Sequence, residues 1–272
     1  MLQSKRILRS GHTDSIKKLN SLLKPILFQA QGRETIFRPL LHSGSRKLER
    51  GTKMARVLVV GDIHLPAEDP NYYDFIKRVK RKYKTDECVL IGDVVDHNAI
   101  SFHAKDPEAP SAMEEHTKIK QGIQKWKRLF PNACVCIGNH DERVHRLAKG
   151  AGIPPCYFKE YNELWNTKWF WDYTHNIDGV VYTHGTGRSG ANAASTAASK
   201  QGQSFVMGHL HSSAGIEMHS TQYGKPVFGM QVGCGVDMDH VAMRYGKNFL
   251  KQPVLSAGVV IDGHPYLEFM EI

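Results

Sequence analysis

Arg56-Val-Leu-Val-Val-Gly-Asp-Ile-His64 is a short β-branched run closed by a glycine and two side chains that can ligate a metal. An unbroken apolar run of this length fits a strand buried on both faces, and Gly61 lets the chain turn sharply out of it. Two later segments repeat the layout: Glu87-Cys-Val-Leu-Ile91 runs into Gly92-Asp93, and Ala133 to Ile137 runs into Gly138-Asn139. Helical periodicity fills the gaps between them. From about Asn71 to Tyr83, Tyr72, Phe75, Ile76, Val79 and Tyr83 recur every three or four residues, which leaves Lys77, Arg78, Lys80, Arg81 and Lys82 on a solvated face. From about Ser111 to Phe130, Ile119, Ile123, Trp126 and Phe130 do the same, and Pro131-Asn132 stops the helix. Strand, helix, strand, helix, strand with right-handed crossovers gives a parallel sheet under helices, with ligands gathering beyond the carboxyl ends of its strands.

The second half changes character. Trp169 to Tyr173, Val180 to Thr183, Ser204 to Met207, Pro226 to Val232, Ala257 to Ile261 and Tyr266 to Met270 read as strands, with one helix expected around Ala191 to Lys200. Strands this dense after a βαβαβ start predict a helix-covered β-sandwich whose two sheets present loops at one shared edge.

Composition bounds what such a domain does. The formal charge of +9 is confined to the first 53 residues, which hold twelve Lys/Arg and three Asp/Glu; residues 54–272 hold 24 of each sign. The catalytic-looking part is therefore neutral, and basicity gives no argument that it binds nucleic acid. Residues 1–53 read as a basic extension, either a disordered arm or a mis-assigned start. Met54 opens a strand at once and follows Glu49-Arg50-Gly51, which can be encoded by a purine-rich, ribosome-binding-like run, so Met54 is expected to be the true start. Pyrimidine-rich codons at that point would remove the basis for this. The five cysteines form no C-x-x-C pair and are odd in number, which indicates neither a zinc knuckle nor a disulfide framework and fits a reducing, cytoplasmic setting. No apolar stretch approaches the length of a membrane span.

Five polar clusters sit at strand ends: Gly61-Asp-Ile-His64, Gly92-Asp-Val-Val-Asp96, Gly138-Asn-His-Asp141, Thr183-His-Gly185 and Gly208-His-Leu-His211. Carboxylate, amide and imidazole without thiolate suit borderline to hard divalent ions such as Mn²⁺, Fe²⁺ or Zn²⁺. Asp62/His64 and His209/His211 are i, i+2 pairs, whose members lean to one side of an extended chain. Any one cluster is weak; five in order, each closing a strand, are hard to obtain by accident. The ordered set D-x-H, G-D-x-x-D, G-N-H-D, a lone His and G-H-x-H resembles the calcineurin-like metallophosphoesterase superfamily, in its compact phage and bacterial form, over about Val57 to His211.

That resemblance implies an α/β fold for residues 54–272, a four-layer αββα sandwich of two mixed β-sheets flanked by helices. It implies that Asp62, His64 and His211 hold one metal, that Asn139, His184 and His209 hold a second, and that Asp93 bridges both. It implies that His140 serves as general acid or transition-state stabiliser, and that Asp96 and Asp141 are structural. Arg143 could contact a substrate phosphate, with a surface salt bridge as the plain alternative. The remaining histidines of the domain, His97, His103, His116, His145, His175, His219, His240 and His264, read as ordinary. The implied reaction is hydrolysis of a phosphomonoester or phosphodiester by hydroxide shared between two cations, Mn²⁺ first among them, with no covalent enzyme intermediate. The expected partner is a phosphorylated small molecule or a nucleic acid. A DNA nuclease of the same superfamily is the first alternative, and a non-catalytic scaffold that has lost its metals is the second.

Overall fold

The computed structural model describes residues 54–102, 106–188, 190–246 and 250–271. The expectations for residues 1–53, and for His103, lie outside the described residues. Among the described residues eleven strands form two sheets. The first sheet is built on β1 (Arg56–Val60), β2 (Glu87–Leu90), β3 (Cys134–Cys136) and β4 (Phe170–Asp172), paired in parallel in that order. Two antiparallel strands, β10 (Ser256–Ile261) and β11 (His264–Phe269), extend it beyond β1. The second sheet runs β5 (Thr174–Ile177), β6 (Val180–Thr183), β7 (Ser204–Met207), β9 (Pro226–Val232) and β8 (Ala214–Ser220). Its centre is parallel and its outer pairs are antiparallel, so both sheets are mixed.

Alternation along β1 creates the layers. Leu58 and Val60 face helices α1 (Tyr72–Tyr83) and α2 (Ala112–Leu129), meeting Tyr72, Phe75, Ile76, Val79, Ile119, Ile123 and Trp126. Val57 and Val59 face the other way, into a second core where Tyr182, Val206, Phe228, Met230 and Val232 of the second sheet close against them. A third, smaller core joins Phe205 and Met207 to α5 (Ala193–Gln201), whose small residues let the helix lie close on the sheet. Helices, sheet, sheet, helix is the expected four-layer αββα sandwich. The α2 terminus is set locally: Ser111 and Glu114 form a reciprocal capping box that satisfies two otherwise orphan donors.

Several elements were not read from the sequence. Helices α3 (Arg143–Gly150) and α4 (Tyr161–Trp165) are only 8 and 5 residues long, too short for a periodic signal. β5 is only half-buried on one face, through His175 and Ile177, and pairs with β6 through a turn at Asp178-Gly179, both at positive φ. That Asp-Gly pair between β-like runs is a hairpin signal present in the sequence. β8 is an edge strand with mostly exposed side chains, so it carries little apolar pattern.

Candidate metal centre

Every candidate ligand sits at a strand's carboxyl end. Asp62 and His64 follow β1, Asp93 follows β2, Asn139 follows β3, His184 follows β6, and His209 and His211 follow β7. The two sheets present these ends on one side of the sandwich, so residues spread over some 150 positions of sequence meet. Asp62, His64 and His211 bring one ligand atom each within 4.8 Å of the others, and so do Asp93, His184 and His209. Asp93 stands between the two groups, its Oδ2 at 3.2 Å from His184 Nε2 and 3.6 Å from His64 Nε2. Asn139 Oδ1 lies 3.2 Å from His184 Nε2 and completes the second group.

The backbone is bent to achieve this. His64, Asp93 and His209 have φ of 51°, 45° and 70°, the left-handed region that costs an L-residue about 1–2 kcal/mol. Hydrogen bonds hold them there: His64 N donates to Asp93 O at 2.9 Å, and His209 N donates to Asp62 Oδ2 at 2.8 Å. Two glycines make room, because a Cβ on Gly138 would collide with Asp93, and one on Gly208 with Asp62 Oδ1.

The donor set fits a cation. His64 Nδ1 lies 2.8 Å from Asp96 Oδ1, and His184 Nδ1 lies 3.1 Å from Ile91 O, so each ring spends its Nδ1 proton on an oxygen acceptor. That fixes the tautomer and turns both Nε2 atoms inward, the outer-sphere arrangement of metal-ligating histidines. Inside, His64 Nε2 faces His211 Nε2 at 3.0 Å. Asp62 Oδ1 is buried with no hydrogen-bond partner. Acceptors converging on acceptors make an interior that needs positive charge, and these residues fit divalent ions.

Titration behaviour agrees. Burial alone would lower His184, but the Asp93 and Asp62 carboxylates push it up to about 10. Burial would raise Asp93, yet the imidazoles of His184 and His140 hold it well below the usual carboxylate range. Burial and the neighbouring His140 keep His64 below its ordinary value, hence neutral and able to ligate. The sign for His184 is definite. Its folded pKa lies above the ordinary 6.5, so in metal-free protein its contribution to stability is complete below 6.5 and fades as pH rises through about 10. The melting temperature of metal-free protein is expected to fall across that window, with a shallower slope in His184→Asn. A cation must displace the same proton, so calorimetric titration with Mn²⁺ should show affinity rising with pH in the same range. An affinity flat with pH would contradict the charge assignment.

A surrounding shell holds the ligands. Asp96 Oδ1 also meets His140 Nδ1 at 2.9 Å, and the two imidazole contacts outweigh burial to keep Asp96 ionised well below its ordinary pKa. Asp141 accepts from Gly138 N, Val94 N and Val95 N at 2.9, 3.0 and 3.2 Å, tying the β2 and β3 loops together. Burial and the nearby Asp93 charge push its carboxyl up to about 7. His140 donates its backbone N–H to Asp93 Oδ1 at 2.7 Å, and its ring lies 4.5 Å from that of His64. Arg143 is 7% exposed and, among the described residues, pairs with no surface carboxylate. It donates to Asp96 O at 2.8 Å and His97 O at 2.9 Å, and its Nη2 stands 3.1 Å from His140 Nε2. These contacts use three of its five N–H donors. His97 stands beside them: Nδ1 lies 3.1 Å from His140 O, and the ring stacks on Trp165.

Comparison with known proteins agrees with the geometry. Residues 55–252 match the family model described as calcineurin-like phosphoesterase, and the chain belongs to that family. Gene 54 proteins of the Mycobacterium phages D29 and L5 are each 26% identical to it, over 207 and 204 residues, 65% of this chain and 78% of each relative. Among solved structures, vacuolar protein sorting 29 from Cryptosporidium parvum is similar over 81% of this chain and 98% of its own, at 14% identity and a TM-score of 0.40. YfcE, a phosphoesterase from E. coli, is similar over 79% of this chain and 100% of its own, at 13% identity and a TM-score of 0.36. No helix among the described residues is long and apolar enough to cross a membrane.

Proposed function

We propose that the chain hydrolyses phosphate esters using two divalent cations, Mn²⁺ foremost and Fe²⁺ or Zn²⁺ as alternatives. Asp62, His64 and His211 would hold one, Asn139, His184 and His209 the other, and Asp93 both. The observation that carries this reading is the convergence of inward-turned Nε2 atoms and carboxylate oxygens, Asp62 Oδ1 among them with no hydrogen-bond partner among the described residues, on one acceptor-rich interior. When bound, such cations acidify water and offset charge on phosphoryl oxygens.

The chain's own residues do the rest. Asp96 and Ile91 O orient the His64 and His184 rings, and Asp141 fixes the two loops that carry Asp93 and Asn139. His140 is the side chain beside the cluster with a proton to give a departing alkoxide. Burial alone would depress it, but the carboxylates of Asp93 and Asp96 raise its pKa, which favours the acid form near neutral pH.

A small phosphomonoester or phosphodiester is the favoured substrate class, because residues 54–272 carry no net charge with which to grip duplex DNA. The test is metal analysis of purified protein together with a Mn²⁺-supplemented screen of an aryl phosphomonoester, an aryl phosphodiester, and single- and double-stranded DNA. Stoichiometric metal with turnover of an aryl ester is expected. Turnover of DNA alone would move the reading to the nuclease, and bound metal or its absence without turnover of any substrate would move it to a scaffold.

A further inference from the structure

Among the described residues β8 is one edge of the second sheet, opposite the β5 edge, and is paired to β9 on one side only. Its side chains alternate between two faces. Glu217 and His219 face α5, where Ser195 Oγ donates to Glu217 Oε2 at 2.6 Å and lies 2.8 Å from His219 Nε2. Ile216 and Met218 point the other way, in register with Met230 and Phe228 of the inter-sheet core. They remain 37% and 56% exposed, since no described strand lies beyond them. Phe269 at the end of β11, two residues past Leu267 of the same core, is 57% exposed on the neighbouring edge. A seven-residue edge strand bearing an apolar strip is a template for another strand.

We infer that the chain forms a two-fold homodimer in which β8 pairs antiparallel with β8 of a second copy, joining two five-stranded sheets edge to edge. The occupant and the register follow from the strand's own chemistry. A two-fold axis perpendicular to the sheet keeps each copy's inner face on the same side, and directly opposed residues must share a face, so a one-residue slip is forbidden. Centring on Glu217 would set carboxylate against carboxylate, and centring on His219 would set imidazole against imidazole. Centring on Met218 sets Glu217 against His219 of the second copy, twice by symmetry, with Met218 against Met218. Complementary partners directly across a strand pair stabilise it and like charges oppose it. The apolar strip of each copy is then covered by that of the other.

The test is sedimentation equilibrium of the full chain over a dilution series. Wild type is expected to move between 30.6 kDa and twice that mass. E217K and H219E should each dissociate at roughly tenfold higher concentration, because each change spoils two symmetry-related pairs. An equimolar mixture of the two variants should recover the dimer, since the introduced lysine then faces the introduced glutamate at one crossing and Glu217 faces His219 at the other, and the double variant E217K/H219E should dimerise alone. Thermal melts establish that each variant is folded; should either charge variant fail to melt cooperatively, Met218→Lys, which leaves the Ser195 bonds in place, gives the same reading. A wild-type chain at 30.6 kDa throughout, single variants as dimeric as wild type, or a mixture that stays monomeric would each overturn the inference.

Discussion

Asp93→Asn is expected to remove nearly all bound metal and at least ~10²-fold of turnover, more than the loss typical of residues one shell further out. The reason is position. Asp93 reaches both ligand groups, through Oδ2 towards His184 Nε2 at 3.2 Å and His64 Nε2 at 3.6 Å, while Oδ1 accepts from His140 N at 2.7 Å. An amide in its place removes the negative charge between the two ligand groups and offers an N–H to an acceptor-rich interior. It also removes the main charge that raises His184, so the histidine loses its reason to hold a proton. The measurement is metal content by plasma mass spectrometry beside steady-state kinetics on one aryl phosphate. Full metal with full activity would contradict the bridging position. A protein that keeps one equivalent of metal instead of two would identify which group depends more heavily on Asp93.

The sequence was most informative where side chains must alternate or recur. β1, β6, β7 and β9 begin and end at the residues where the β-branched runs begin and end, because a strand buried on one or both faces cannot shift by a residue without exposing its apolar set. The candidate site was legible for a related reason: a glycine followed by a ligand-type residue at the end of a buried strand is local chemistry, visible without knowing where the strands meet. What supports those ligands was less visible. Arg143 gives two donors to backbone carbonyls, a kind of partner that no residue pattern reveals, so its sequence context suggested only a phosphate contact or a surface salt bridge. His97 meets the ring of Trp165 and a carbonyl more than forty positions away, contacts equally invisible in the sequence. β8 escaped because an exposed edge strand has no buried face to impose a pattern, and that same exposure is what makes it a candidate for pairing.

His140→Ala is expected to lower kcat by ~10²–10⁴-fold, the range of a positioned general acid, while metal content stays at the wild-type level. The two readouts separate because His140 touches the cluster in two ways. Its backbone N–H bonds to Asp93 Oδ1, and alanine keeps that bond. Its ring bonds to Asp96 through Nδ1 and stands beside Arg143 through Nε2, and alanine loses both. No candidate metal ligand loses its orienting partner in the variant, since Asp96 still holds His64 Nδ1 at 2.8 Å. The leaving group decides between the two roles open to the imidazole. If it protonates the departing oxygen, the loss should be severe for an alkyl phosphate and small for a nitrophenyl ester, whose anion departs without a proton. If it only stabilises charge on the phosphoryl group, the loss should be the same for both. A variant with intact metal and undiminished turnover of an alkyl ester would remove His140 from the reaction and leave its proton with no task.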